Sequence, residues 1–260
     1  MKDGIAKYLP FVVGGMIGWL LFHPPQWLGP AGPYRTLLMA AVGFVLLVAF
    51  IVYVIAAGVP ADVALSPCAG AVDPGIARYG ERLKALGFVE AGPPLRVEIK
   101  PAATLLPFVH ASEPVYATVF RTGTVPAVLS FDFVSILDGC RGGLTSSADP
   151  RGATLPAGPG AFRQVVAGAG MEAVFRLHLE GVAWLCARGL AAKRVSAQDF
   201  AHDFKAAVRR QSEGFRRAPV RHALIALWRT VSRRHPHDGP LSRQPAAESQ
   251  ARALQAGRPG

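Results

Sequence analysis

The residue types that could do chemistry are few and scattered. His110 and Glu113 stand close enough to act as general acid and base, yet nothing in the sequence pairs them with a nucleophile. Cys140 follows the Asp138-Gly139 turn, and Arg141 beside it would lower a thiol pKa and make it reactive, although a turn cysteine without function fits the same pattern. His178 and Glu180, two apart, point to different faces of a helix and cannot easily serve one metal, so His178 reads as a residue at the boundary of the core. His202 and Asp203 are adjacent in a basic helical stretch, and His235-Pro236-His237-Asp238 offers metal-ligand types in surroundings that fit a solvated linker better. Gly139 to Gly143 (GCRGG) lacks the lysine and the strand-to-helix context of a phosphate loop and reads as turn chemistry. No GxSxG, HExxH or paired CxxC occurs, which removes the strong signatures of α/β-hydrolases, zinc proteases and structural zinc sites. The absence of any asparagine removes N-glycosylation acceptors and Cys-His-Asn catalysis. The sequence assigns no catalytic residue, leaving that question open, and no cofactor or metal site is expected.

The elements that would position these residues begin with an apolar excess. Hydrophobic residues make up 51% of the 260 and charged ones 17%, and the mean hydropathy is +0.29, too apolar for an average soluble chain. The excess lies in residues 1–59, which read as a transmembrane hairpin with spans at about 8–28 and 36–59. Thr36 to Val59 carries no charge over a length ample for a bilayer crossing. Gly14, Gly18 and Gly43 are small enough for close helix approach, which would suit a homodimer through the membrane glycines. Lys2, Lys7 and the terminal amine against Arg35 in the short loop place both termini in the cytoplasm of a cell whose inner membrane holds the hairpin. Three cysteines without CxxC spacing fit thiols in that reducing compartment.

Residues 60–74 read as a Pro/Gly/Ala linker and 75–190 as an α+β domain. Ile76, Tyr79, Leu83 and Leu86 recur at helical spacing before Gly87 stops the helix. The period then changes to two in Leu95–Lys100, and Val115–Arg121 and Ala127–Leu137 are rich in β-branched and aromatic residues, with further strands at Leu144–Ser147 and Phe162–Val166. A small antiparallel sheet of four or five strands is expected, covered by a helix over Met171–Arg188. Its acids Asp132, Asp138 and Asp149 read as sheet-edge and turn residues.

The formal charge of +11 belongs to the C-terminal quarter, where fifteen basic residues face five acidic ones from residue 188 onward. Residues 191–234 form two basic amphipathic helices: Phe200, Phe204, Val208 and Phe215 share one face of the first, and Val220, Leu224, Leu227, Trp228 and Val231 one face of the second, which opens with Pro219. Residues 235–260 have a disordered composition.

Three roles are open for these helices: covering the domain with their arginines solvated, contacting anionic lipid headgroups or a partner protein, or binding nucleic acid, for which no motif is present. The contact residues are Lys205, Arg209, Arg210, Arg216, Arg217, Arg221, Trp228 and Arg229. The leading expectation is a membrane-anchored, non-catalytic protein presenting a cytoplasmic α+β domain to a partner or to anionic lipid. The alternatives are a membrane-associated enzyme and a membrane-tethered nucleic-acid binder. The enzyme would need a pocket between sheet and helix with two convergent ionisable groups.

Overall fold

In a computed structural model the chain is described over residues 33–58, 63–68, 73–98, 102–122, 128–138, 142–149, 160–232 and 239–256. Among these residues the fold is α+β, one mixed eight-stranded sheet with six α-helices. Helix α1 is Pro33–Gly58, and strand β1, Leu65–Pro67, follows it. Helix α2 (Pro74–Ala85) precedes β2 (Phe88–Glu90), β3 (Leu95–Val97), β4 (Ala103–His110), β5 (Tyr116–Thr122), β6 (Leu129–Ile136), β7 (Gly143–Ser147) and β8 (Ala161–Val165). Helices α3 (Met171–Cys186), α4 (Phe200–Arg217), α5 (Pro219–Ser232) and α6 (Pro245–Ala256) complete the chain, with a 3₁₀ turn at Leu241–Arg243.

The sheet runs β1-β3-β4-β5-β6-β7-β8, with β2 paired to the far half of β4. It is larger than the periodicity predicts, and one pair departs from the antiparallel expectation: β7 and β8 run parallel. Residues 148–160 between them are enough for the return crossover of about a dozen residues that a parallel pair needs. The strands beyond those expected are β1 and β2, of three residues each and too short to display a period of two, and β4, whereas β3 is the start of the alternating Leu95–Lys100 segment. Strand β1 lies within the expected linker and pairs antiparallel with β3.

Strand β4 (ATLLPFVH) is buried on both faces, so it reads as an unbroken apolar run rather than an alternation. Its Pro107 would argue against an interior strand. The structure accommodates it because β3 pairs with Ala103–Leu105 and β2 with Phe108–His110, leaving Pro107 opposite the turn between those partners. The Pro107 carbonyl accepts from the Ala91 amide across that gap, so the missing N–H faces a place where no ladder bond is due.

Alternation sorts the sheet into two faces. Leu106, Phe108, Ala117, Val119, Phe131 and Phe133 pack with Ile76 and Leu83 of α2 and Met171, Val174 and Phe175 of α3. Asp73 caps α2 by accepting from the Gly75 and Ile76 amides, and Pro74 opens it. Helix α3 comes close to the sheet at Gly181, where a Cβ would stand 2.7 Å from Gln164 Nε2 and 2.8 Å from Leu144 Cδ2. The opposite face places Val97, Ala103, Leu105, Val109 and Tyr116 against Phe200, Phe204 and Val208 of α4.

The tail corrects the expectation of disorder. Residues 239–256 are folded, with Leu241, Ala247 and Ala251 buried against Leu137, Leu144 and Leu190. The outer edge of β8 explains the polar composition, because the carbonyls of Ala161, Arg163 and Val165 accept from Gln250 Nε2, Gln244 Nε2 and the Gly239 amide. Glutamines that look like solvated tail residues thus satisfy a sheet edge that would otherwise be open to pairing.

Helix α1 packs along α5. Its backbone is helical over 26 residues, and among the described residues no helix is long and apolar enough to cross a membrane. The expected first span, 8–28, with Gly14 and Gly18, lies outside the described residues, and a side chain at Gly43 would meet nothing within 4 Å.

Candidate functional site

The second sheet face is not filled. Between β5–β8 and α4 lies a recess of about 470 Å³. Its sheet side comes from alternate residues of neighbouring strands: Tyr116, Thr118 and Phe120 of β5, Asp132, Val134 and Ile136 of β6, Gly143, Thr145 and Ser147 of β7, and Ala161, Arg163 and Val165 of β8. Helix α4 contributes Phe200, Asp203, Phe204, Ala207, Val208, Arg210 and Gln211, the spacing of one helical face. The space exists because Gly143, Ala161 and Ala207 are small where larger side chains would fill it. Gly142 and Gly143 are required for a second reason: a Cβ at Gly142 would overlap the Gly160 carbonyl, and one at Gly143 would lie 2.7 Å from the Ser135 carbonyl oxygen. Gly142 and Gly143 of GCRGG therefore permit close backbone approach.

One polar cluster ties the helix to the sheet. Tyr116 Oη donates to Asp203 Oδ2 at 3.1 Å and lies 3.0 Å from the Ser196 carbonyl oxygen. Lys193 Nζ donates to both Asp203 oxygens, at 3.3 and 3.4 Å. Burial, followed by the Asp203 charge, pushes the Tyr116 phenol well above its ordinary range. The adjacent residue His202 is exposed, so the two members of the His-Asp pair face opposite ways.

Asp132, half-buried on the recess floor, is the second acid. Burial pushes its carboxyl up to about 6, against the lowering effects of a hydrogen bond from Ser147 and of the Arg163 charge, while Asp149 adds to the rise. Alternation does place Asp132 correctly on a polar-facing side of β6, but its role as a turn or edge residue is corrected: β6 is an interior strand, and the face it looks onto is roofed by α4. Two acids and two arginines thus converge on the recess, while its lining contains neither histidine nor cysteine. The convergent ionisable groups that an enzyme would need are present among the described residues. Among the described residues no group of three metal-ligating side chains occurs.

His178, expected at the core boundary, is fully buried on the other face of the sheet. Ser135 Oγ uses its proton on the Pro114 carbonyl at 2.8 Å, so it accepts from His178 Nε2–H at 2.9 Å. His178 Nδ1 is then the acceptor for Ser146 Oγ–H at 2.9 Å, and Ser146 accepts from Gln164 Nε2 at 3.0 Å. Every partner is satisfied with the imidazole neutral, and burial lowers its pKa to about 3. This closed relay fixes the core, and of its members only Gln164 is among the residues that line the recess.

His110 closes a turn instead of serving Glu113 as a catalytic partner: Nδ1 accepts from the Ser112 and Glu113 amides and Nε2 donates to the Leu86 carbonyl. Cys68 and Cys186 are unpaired thiols. Cys140, Arg141 and His235–Asp238 lie outside the described residues.

The basic contact residues divide. Lys205, Arg209, Arg216, Arg217 and Arg221 are exposed, Arg210 lines the recess, and the Arg229 side chain lies outside the described residues. The apolar face of α4 covers the sheet, whereas α5 leaves Val220, Leu224 and Trp228 open, Trp228 being 70% exposed. No protein-family model, curated protein or solved structure matches the chain.

Proposed function

We propose that this is a membrane-anchored binding protein whose α+β domain is held against an anionic cytoplasmic leaflet by α1 and α5. The observation that supports it is the uncovered apolar surface on these two packed helices: Leu37, Phe44 and Val45 of α1 are 67%, 51% and 63% exposed, beside Val220 and Trp228 of α5. Large apolar side chains left open on two packed helices are what a bilayer covers. Between residues 36 and 58 the sequence carries no charge, and a helix of that length spans about 35 Å at 1.5 Å per residue, more than the ~30 Å of a hydrocarbon core. The exposed arginines at the junction of α4 and α5, Arg216, Arg217 and Arg221, would then meet anionic headgroups, each contributing about 1 kcal/mol near the surface.

Topology tests this reading. A reporter active only in the cytoplasm, fused after residue 74 and separately after residue 256, should be active in both positions, and the chain should stay with membranes through alkaline extraction. Activity at neither position, with an export-dependent reporter active at both, would overturn the cytoplasmic placement. Release by alkali would overturn the anchor.

A further inference from the structure

We infer that the recess between the sheet and α4 binds a single-chain anionic amphiphile, an alkyl chain ending in a carboxylate or phosphate. Three features of the site select this chemistry. Its volume of about 470 Å³ lies within the range of small-ligand pockets. Its walls are largely aromatic and branched aliphatic, with Phe120, Val134, Ile136, Phe204 and Val208 facing one another across the space, so an alkyl chain gains burial there without leaving polar groups unpaired.

Its charges favour an anion. Asp203 is already neutralised by Lys193 and hydrogen-bonded by Tyr116. The charge of the floor carboxyl of Asp132 is opposed by that of Arg163 on the neighbouring face of β8. Arg210, two turns along α4 from Asp203, lines the recess with no hydrogen-bond or ion-pair partner among the described residues. A guanidinium beside an apolar trough is a suitable anchor for a carboxylate or phosphate head. The small residues that keep the trough open lie on three separate elements, at Gly143, Ala161 and Ala207, so the space is a property of the whole face. The bilayer as source of the amphiphile rests on the membrane reading above, whereas the fit of chain and head does not.

The test uses the full chain with phosphatidylcholine vesicles and a palmitate analogue carrying a diazirine on its chain, irradiated and mapped by peptide mass spectrometry. Vesicle flotation in the same samples reports on membrane attachment separately, so a chain that fails to float overturns the anchor alone, and its adduct map still decides the recess. Adducts are expected on the α4 and β6 peptides, to be competed away by unlabelled palmitate in the wild-type chain. Ala207→Trp, which fills the trough, should abolish them while labelling of α1 persists. Arg210→Gln should weaken palmitate labelling by roughly tenfold, the loss of one charge-assisted contact, and leave labelling by the matching neutral alcohol unchanged. Competition by lysophosphatidic acid against palmitate tells a phosphate head from a carboxylate. Adducts confined to α1 and α5, recess labelling that palmitate cannot saturate, or equal labelling by acid and alcohol in the wild type would each overturn the proposal. The competition arm needs no altered chain and holds even if Ala207→Trp does not fold.

Discussion

The two faces of the sheet are built from alternate residues of the same strands, yet they end in different physical states. On the face under α2 and α3, aromatic rings interlock, with Phe133 5.1 Å from Phe175 and 5.6 Å from Phe88, and even the buried histidine is enclosed by satisfied partners. On the face under α4, small residues leave a recess, and burial raises the pKa of an acid at its floor. Since strand, register and backbone ladder are common to both, the difference comes from side-chain volume and from what covers each face. A sheet can thus fix its fold with one face and reserve the other for a ligand.

The largest expected effect separates neighbours on one strand. Phe133 is fully buried in the packed face, and Val134 beside it faces the recess. Phe133→Ala should cost about 3–5 kcal/mol, the range for a large core side chain removed from rigid surroundings. Val134→Ala, which only enlarges an existing space, should cost roughly 1 kcal/mol or less. Urea denaturation followed by tryptophan fluorescence measures both, and equal losses would mean that the recess face is as tightly packed as its counterpart.

Acidity should act on the two faces in opposite senses. The His178 pKa is depressed to about 3 from 6.5, so below pH 6.5 the unfolded chain binds a proton that the fold refuses. Its effect is therefore flat above pH 6.5, and stability falls by about 1.4 kcal/mol per pH unit as pH drops from there toward 3. The Asp132 pKa is raised to about 6 from 3.8, so its contribution is fully present below pH 3.8 and lost as pH rises through 6, a cost of at most about 3 kcal/mol because water in the recess screens it. Asp132→Asn should then stabilise the protein at pH 7.5, with the gain shrinking toward pH 4. In His178→Gln the acid limb below pH 6.5 should flatten, whatever the variant loses in absolute stability. Unchanged pH profiles in either variant would break the assignment for its face.

These contrasts also explain what was legible in the sequence. The helices α2 to α5 and the strands β3 and β5 to β8 announce themselves because each keeps its apolar residues on one side and so shows a period. Strand β4 does not, being apolar on both sides and interrupted by Pro107, whose fit depends on where two partner strands stop. The folded tail was hidden because its glutamines serve the β8 edge, a demand that local composition cannot reveal. The recess was half visible: Asp132 and Asp203 stand among apolar residues at strand and helix spacing, but the cavity arises from smallness at Gly143, Ala161 and Ala207, and missing volume leaves no motif. His178 looked peripheral because its partners Ser135 and Ser146, and the Gln164 that donates to Ser146, come from three different strands.

The ion pairs that hold a helix on each face give the smallest and sharpest version of the contrast. Arg82 of α2 donates to both oxygens of Glu172 at the start of α3, at 2.9 Å, but both side chains are about half exposed. Water and salt screen that pair, so Arg82→Ala should cost less than about 0.5 kcal/mol, and the packed face should keep its helices through apolar contact alone. Asp203, by contrast, is buried where α4 meets the sheet, and Asp203→Asn leaves Lys193 without its counter-charge and weakens the acceptor for Tyr116. A loss of about 1–3 kcal/mol is expected there. Hydrogen exchange distinguishes global from local loss: in Asp203→Asn the α4 amides should exchange faster while those of α3 stay protected, since α4 is held by a polar clamp over an incompletely filled face. Uniform loosening of both helices would mean that the recess face is integral to the core and that its open volume contributes little freedom to α4.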